Sequence, residues 1–197
     1  MGLCVLSMLG LKRGDRMNVF IEIKGLLEFE QAEEWESAIN LLYTHWDNDK
    51  GNVNVLCRLI SECWYVLTEW DCCIHNENLS YDFFKNTLIN ATEYGLTHFS
   101  TDAKFLWITG YMISLFPYLF YKGETDDFYS NWEQKGKEML SLSNQIVPDN
   151  PVSKVLYLGT LNVTEEYLAE KLQLAPLITN IFKGHTAIEE YFKDVLS

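Results

Sequence analysis

The property that most restricts this chain is the spacing of its apolar residues, which is helical almost throughout. Trp35, Ala38, Ile39, Leu42 and Trp46 recur at i, i+3, i+4, i+7 and i+11, with Glu33, Glu36, Asn40 and Asp47 on the other side. A second stripe follows in Val55, Leu56, Leu59, Ile60, Cys63, Trp64, Leu67 and Trp70. It leaves Arg58, Glu62, Tyr65 and Glu69 on a narrow polar side. Arg58 and Glu62 stand four apart on this side and can pair along the helix, for about 0.2–0.5 kcal/mol. Apolar and polar residues alternate nowhere over a useful length, so the prediction is an all-α fold.

Local signals set the helix limits. The run from Asp47 to Asn52 is a turn cluster. Asn76 to Ser80 is a break, with Ser80 as N-cap of a helix reaching about His98. Asp102 caps the next helix, which Pro117 either kinks or ends. Gly123 to Thr125 opens a helix to about Asn144, whose small residues Gly136 and Ser141 admit close packing. Val147 to Pro151 is firm punctuation, and shorter helices follow over 151–159, 164–182 with a break near Pro176, and 185–196. Hairpins of this size predict an irregular stack of antiparallel helical pairs, tetratricopeptide-like, in one domain over 17–197. A compact irregular bundle is the alternative. Residues 1–16 read as a loose arm or a mis-assigned start, because Met17 begins a cleaner helical pattern.

Few residues invite chemistry. Phe105 to Tyr121 is uncharged but interrupted by Thr109, Gly110, Ser114 and Pro117, and reads as a buried central helix rather than a membrane span. The five cysteines form no disulfide framework and read as small apolar residues of a reduced, cytosolic protein. The sequons at Asn78, Asn90 and Asn162 are then without meaning. Cys57, Cys63, Cys72, Cys73 and His75 lack the paired spacing of a zinc site. Asp47 to Arg58 fails as a calcium loop at its sixth and twelfth positions. No hydrolase, phosphate-loop or dinucleotide motif occurs, so no catalytic residue, metal or cofactor is expected.

Charge is more informative. The formal total is −13, and residues 25–82 alone hold twelve acids against Lys50 and Arg58. A chain this acidic repels a phosphate backbone, so a basic protein is the better partner. The expected binding residues are Glu30, Glu33, Glu34, Glu36, Tyr43, Asp47, Asp49, Glu69, Asp71, Glu77, Tyr81 and Asp82. Of the tryptophans of this stretch, Trp35, Trp46, Trp64 and Trp70, most lie on the apolar stripes and are expected in the core, whereas Tyr43, Tyr65 and Tyr81 fall on the polar side.

The run from Asn54 to Leu67 (Asn-Val-Leu-Cys-Arg-Leu-Ile-Ser-Glu-Cys-Trp-Tyr-Val-Leu) resembles helical immunity proteins of bacterial contact-dependent growth inhibition systems. So does the run from Ala103 to Met112, and with the Pro148-Asp149-Asn150-Pro151 turn the resemblance covers about residues 18–160. It is a resemblance of overall pattern. It implies a cytosolic, non-enzymatic protein that binds the C-terminal toxin domain of a large secreted protein and covers its active site. Such toxins are often nucleases acting on tRNA, with basic clefts. The family brings no fixed catalytic residues. A tetratricopeptide-like adaptor for a peptide or regulatory protein is the alternative function.

Overall fold

A computed structural model describes residues 19–72, 75–123, 126–161 and 164–197, and no strand occurs among them. The proposed arm and Cys73 lie outside the described residues. The helices are α1 (Leu26–Gln31), α2 (Trp35–Asn48), α3 (Val53–Thr68), α4 (Tyr81–His98), α5 (Ala103–Leu115) and α6 (Asp126–Ile146). They continue as α7 (Pro151–Gly159), α8 (Thr164–Leu174), α9 (Ile178–Ile181) and α10 (Ala187–Leu196), with 3-10 turns at Pro117–Leu119 and Ala175–Leu177.

The boundaries follow side-chain capping. The Ser80 hydroxyl accepts from the Phe83 N–H at 3.3 Å, and the Asp102 carboxylate from the Phe105 N–H at 2.8 Å. Asn52 caps α3, and Asn150 caps α7 with Pro151 directly inside the helix. Pro117 ends α5 rather than kinking it, and opens a 3-10 turn. Phe105 through Ile113 are all buried, so α5 is a central helix. No helix among the described residues is long and apolar enough to cross a membrane.

One expectation fails at the start. The helical pattern beginning at Met17 does not hold over 19–25, which is non-helical. Here Ile21 and Ile23 are half-buried while Glu22 and Lys24 are exposed, a period of two that suits extended chain. The Val19 N–H donates to the Ile181 carbonyl at 3.3 Å, and Gly25 turns the chain into α1 at φ 89°.

Through most of the chain, helices adjacent in sequence are adjacent in space. The closest pair is α5 and α6, which cross where Gly110 meets Gly136. Ser141 plays no such part; it is half-buried and its hydroxyl accepts from Gln145 at 3.3 Å. Helix α3 lies at the centre and touches α2, α4, α5 and also α10, so the C-terminal helix returns to the first half of the chain. One apolar cluster runs from Phe20 to Leu196 and includes Trp35, Trp46, Trp64 and Trp107.

Candidate partner-binding surface

Most of the expected carboxylates do face outward. Glu33 and Glu34 occupy the tight turn from α1 to α2, where Glu33 has φ 57°, a left-handed conformation costing about 1–2 kcal/mol in a non-glycine residue. Its carboxylate pairs with His75, and that hydrogen bond, then the charge itself, raises the His75 pKa and favours the imidazolium. Glu36 accepts from the Ser80 N–H at 3.1 Å. Both residues therefore tie the loop before α4 to the start of α2. Asp47 pairs with Lys50 at 3.0 Å, while the Lys50 ammonium lies 3.3 Å from the centroid of the Trp46 ring. The single base of this hairpin surface is thus held by its own acid and its own aromatic. Asp49, Asp71, Glu77 and Asp82 are exposed, and Asp82 sits favourably in the first turn of α4. Glu69 is half-buried at the end of α3. Among the aromatics Tyr43 is exposed, while Tyr65 and Tyr81 are half-buried.

Glu30 is a correction: it is buried and does not belong to any surface. The Arg58–Glu62 pair is a second, with both side chains fully buried. Arg58 Nη2 donates to Glu30 Oε1 at 2.5 Å and lies 2.9 Å from Glu62 Oε2, while Nη1 donates to the Thr186 hydroxyl at 2.9 Å. The second Glu30 oxygen accepts from the Ala187 N–H at 2.7 Å. Thr186 in turn donates to Glu189 at 2.6 Å, and Glu189 also accepts from the Gly184 N–H at 3.0 Å. The Phe20 ring faces the guanidinium at 5.4 Å. One cation thus meets two buried carboxylates, from α1 and α3, and reaches a third, Glu189 of α10, through the Thr186 hydroxyl. Burial, opposed by Arg58 and reinforced by Glu30, pushes the Glu62 pKa up to about 8, and burial also raises Glu30. The knot escapes sequence reading because an i,i+4 Arg–Glu pair is also the signature of a solvated helix face.

Little in the described chain is set up for covalent chemistry. Burial pushes the Cys57 thiol up to about 12 and raises Cys63 well above the usual thiol range, so neither is a thiolate near neutral pH. Cys72 departs from the core reading: it is exposed, in the turn after α3 and past the end of the apolar stripe. No group of three or more metal-ligating side chains gathers among the described residues. His98 bonds to the Tyr94 carbonyl at 2.9 Å and His185 to Glu190 at 3.1 Å; His45 is exposed on α2. An open cleft of about 560 Å³ runs between residues 21–28 and 183–189, with Thr186 and Glu189 of the knot in its wall. No family model, curated protein or solved structure matches this chain.

Proposed function

We propose that this protein is an immunity protein that binds and neutralises a basic toxin domain in the cytosol of the cell that makes both. On this reading it covers the toxin's active site with an acidic surface, has no enzymatic activity, and takes no cofactor. The toxin would be a nuclease of the tRNA-cleaving type, whose basic cleft recognises carboxylates where it otherwise recognises phosphates. We read the scaffold as an irregular, tetratricopeptide-like stack of antiparallel hairpins, closed by α10. The observation that carries the reading is the surface charge of residues 25–82. Once buried Glu30, Glu62 and Arg58 are set aside, ten carboxylates remain there against Lys50 alone.

Growth rescue tests it directly: co-expression with the toxin domain encoded beside this chain should restore growth, and no rescue would sink the proposal. The charge is tested at Glu34, Asp47 and Asp49, because Glu33 and Glu36 also hold a loop. Changing all three to Lys should slow association with the toxin about tenfold at low salt and flatten its salt dependence. Stopped-flow association at two ionic strengths reads this, and unchanged rates at both would show that the face plays no part.

A further inference from the structure

The first hairpin carries charge but few anchors, since Trp35 and Trp46 are buried beneath it. A different surface combines both. It lies where the end of α3, the start of α4 and the turn between α5 and α6 meet. By stopping α5, Pro117 sends Tyr118 outward, 45% exposed, with its ring edge-on to Phe116 at 6.1 Å. Phe116 rests on buried Trp64 at 5.8 Å, so this tyrosine is braced from the core. Tyr129, in the first turns of α6, is 42% exposed. Tyr81 opens α4 and packs edge-on to half-buried Trp70 at 5.2 Å. The 3-10 turn that carries Tyr118 packs against both α4 and α6, the helices that carry Tyr81 and Tyr129. Burial raises the Tyr81 pKa, and Tyr118, Asp71 and Asp82 add to the rise. Burial likewise raises Tyr118, with Tyr129 adding. None of the three hydroxyls is hydrogen-bonded among the described residues.

Braced, exposed tyrosines lose little freedom on binding and dominate the energetics of many interfaces. Here they stand beside exposed Asp71 and Asp82. The described side chains of the contributing segments, 69–85 and 115–129, include five acids, Glu69, Asp71, Glu77, Asp82 and Asp127, against Lys85 and Lys122. A second copy of this chain would bring the same acids against themselves. A guanidinium suits the face better than an ammonium, because its plane stacks on phenol rings while its N–H groups reach carboxylates.

We propose that Trp70, Tyr81, Tyr118 and Tyr129, with Asp71 and Asp82, form the anchoring site for an arginine-bearing patch of a basic protein partner. Carboxylates of the first hairpin steer that partner and this face holds it. The inference rests on the partner being basic, as in the proposed function, but not on its being a toxin.

The probe is an acetylated hexa-arginine amide, titrated into the full-length protein and followed by amide chemical shifts. Shifts should concentrate at residues 69–82 and 118–129. The Tyr118→Ser/Tyr129→Ser double variant, altered only at exposed positions, should bind the peptide at least fivefold more weakly with an otherwise native spectrum. Hexa-lysine should bind more weakly than hexa-arginine. Shifts confined to residues 33–49, or equal binding by the double variant, would overturn the site. So would a sedimentation coefficient that rises with concentration in the native chain but not in the variant, which would assign the face to a second copy. With a toxin found by growth rescue, the double variant should raise the dissociation rate about tenfold. Rescue with an unchanged dissociation rate sinks the anchor and leaves the toxin reading intact. Arginine binding at this face without any rescue does the reverse.

Discussion

Replacing Arg58 with Met should cost about 3–5 kcal/mol of folding stability, the usual penalty for removing one partner of a buried ion pair. The fully buried guanidinium contacts buried Glu30 and Glu62 and half-buried Thr186. Methionine fills similar volume but leaves the buried Glu30 carboxylate without the cation that favours its charged form, so it must take up a proton or open the structure. Urea denaturation reads the loss directly; a variant within about 1 kcal/mol of the native protein would show that the knot is not held by charge. Glu62→Gln tests the same site in the opposite direction. Glu62 titrates near 8 in the folded chain against an ordinary value of 4.5, so between these limits the native state binds a proton that the unfolded state has released. This contribution therefore favours folding most at the acidic end and is lost as pH rises toward 8. Gln cannot ionise, so the variant should flatten the fall in urea midpoint between roughly pH 5 and 8 and be the more stable protein at pH 8. A variant whose midpoint falls with pH as steeply as the native one would place the titration elsewhere.

Gly136→Ala is the second large effect, and two contributions oppose each other in it. Helix propensity alone favours alanine in mid-helix by about 1 kcal/mol. Packing opposes it, because a methyl group there would lie 2.6 Å from the Ser114 nitrogen and 2.7 Å from the Gly110 carbonyl oxygen. Both are backbone atoms of α5 and cannot rotate aside, so the helices must separate. Overpacking of this kind costs about 1–3 kcal/mol, and packing should win. Gly110→Ala meets the Met139 Cβ at 2.8 Å and the Gly136 carbonyl at 2.9 Å, at the same crossing. The double variant should lose less than the two single losses combined, since the first methyl already spreads the helices. Thermal melts of the four proteins give this coupling. A stabilised Gly136→Ala protein would show that α6 shifts freely over α5.

What was legible in the chain was local. Ser80, Asp102 and the Asn150-Pro151 pair cap helices through residues at most three positions away, so their types reveal their roles. The buried status of α5 was equally plain, because a helix apolar on every side has nowhere else to go. Arg58 and Glu62 misled because the groups that justify burying them lie far off. Glu30 is 28 residues from Arg58, and Thr186 is 128 residues from it. No pattern within α3 distinguishes a charge pair facing water from one facing two remote partners. The tyrosine face was hidden for a related reason. Tyr118 and Tyr129 stand outside the acidic stretch that drew attention to residues 25–82, and only packing of α4 and α6 around the 117–119 turn brings them beside Tyr81.

The bond from the Ala187 N–H to Glu30 spans 157 positions of chain. During synthesis, α1 and α3 emerge well before the residues that complete their charge balance. Until position 189 leaves the ribosome, Arg58 and its acids lack part of the lining that makes their burial tolerable, and the nascent first half has reason to stay hydrated and open. The arrival of α10 thus completes the charge balance of the buried acids of α1 and α3. A stalled or shortened product would expose the unfinished acidic half to chaperones and proteases rather than fold around it.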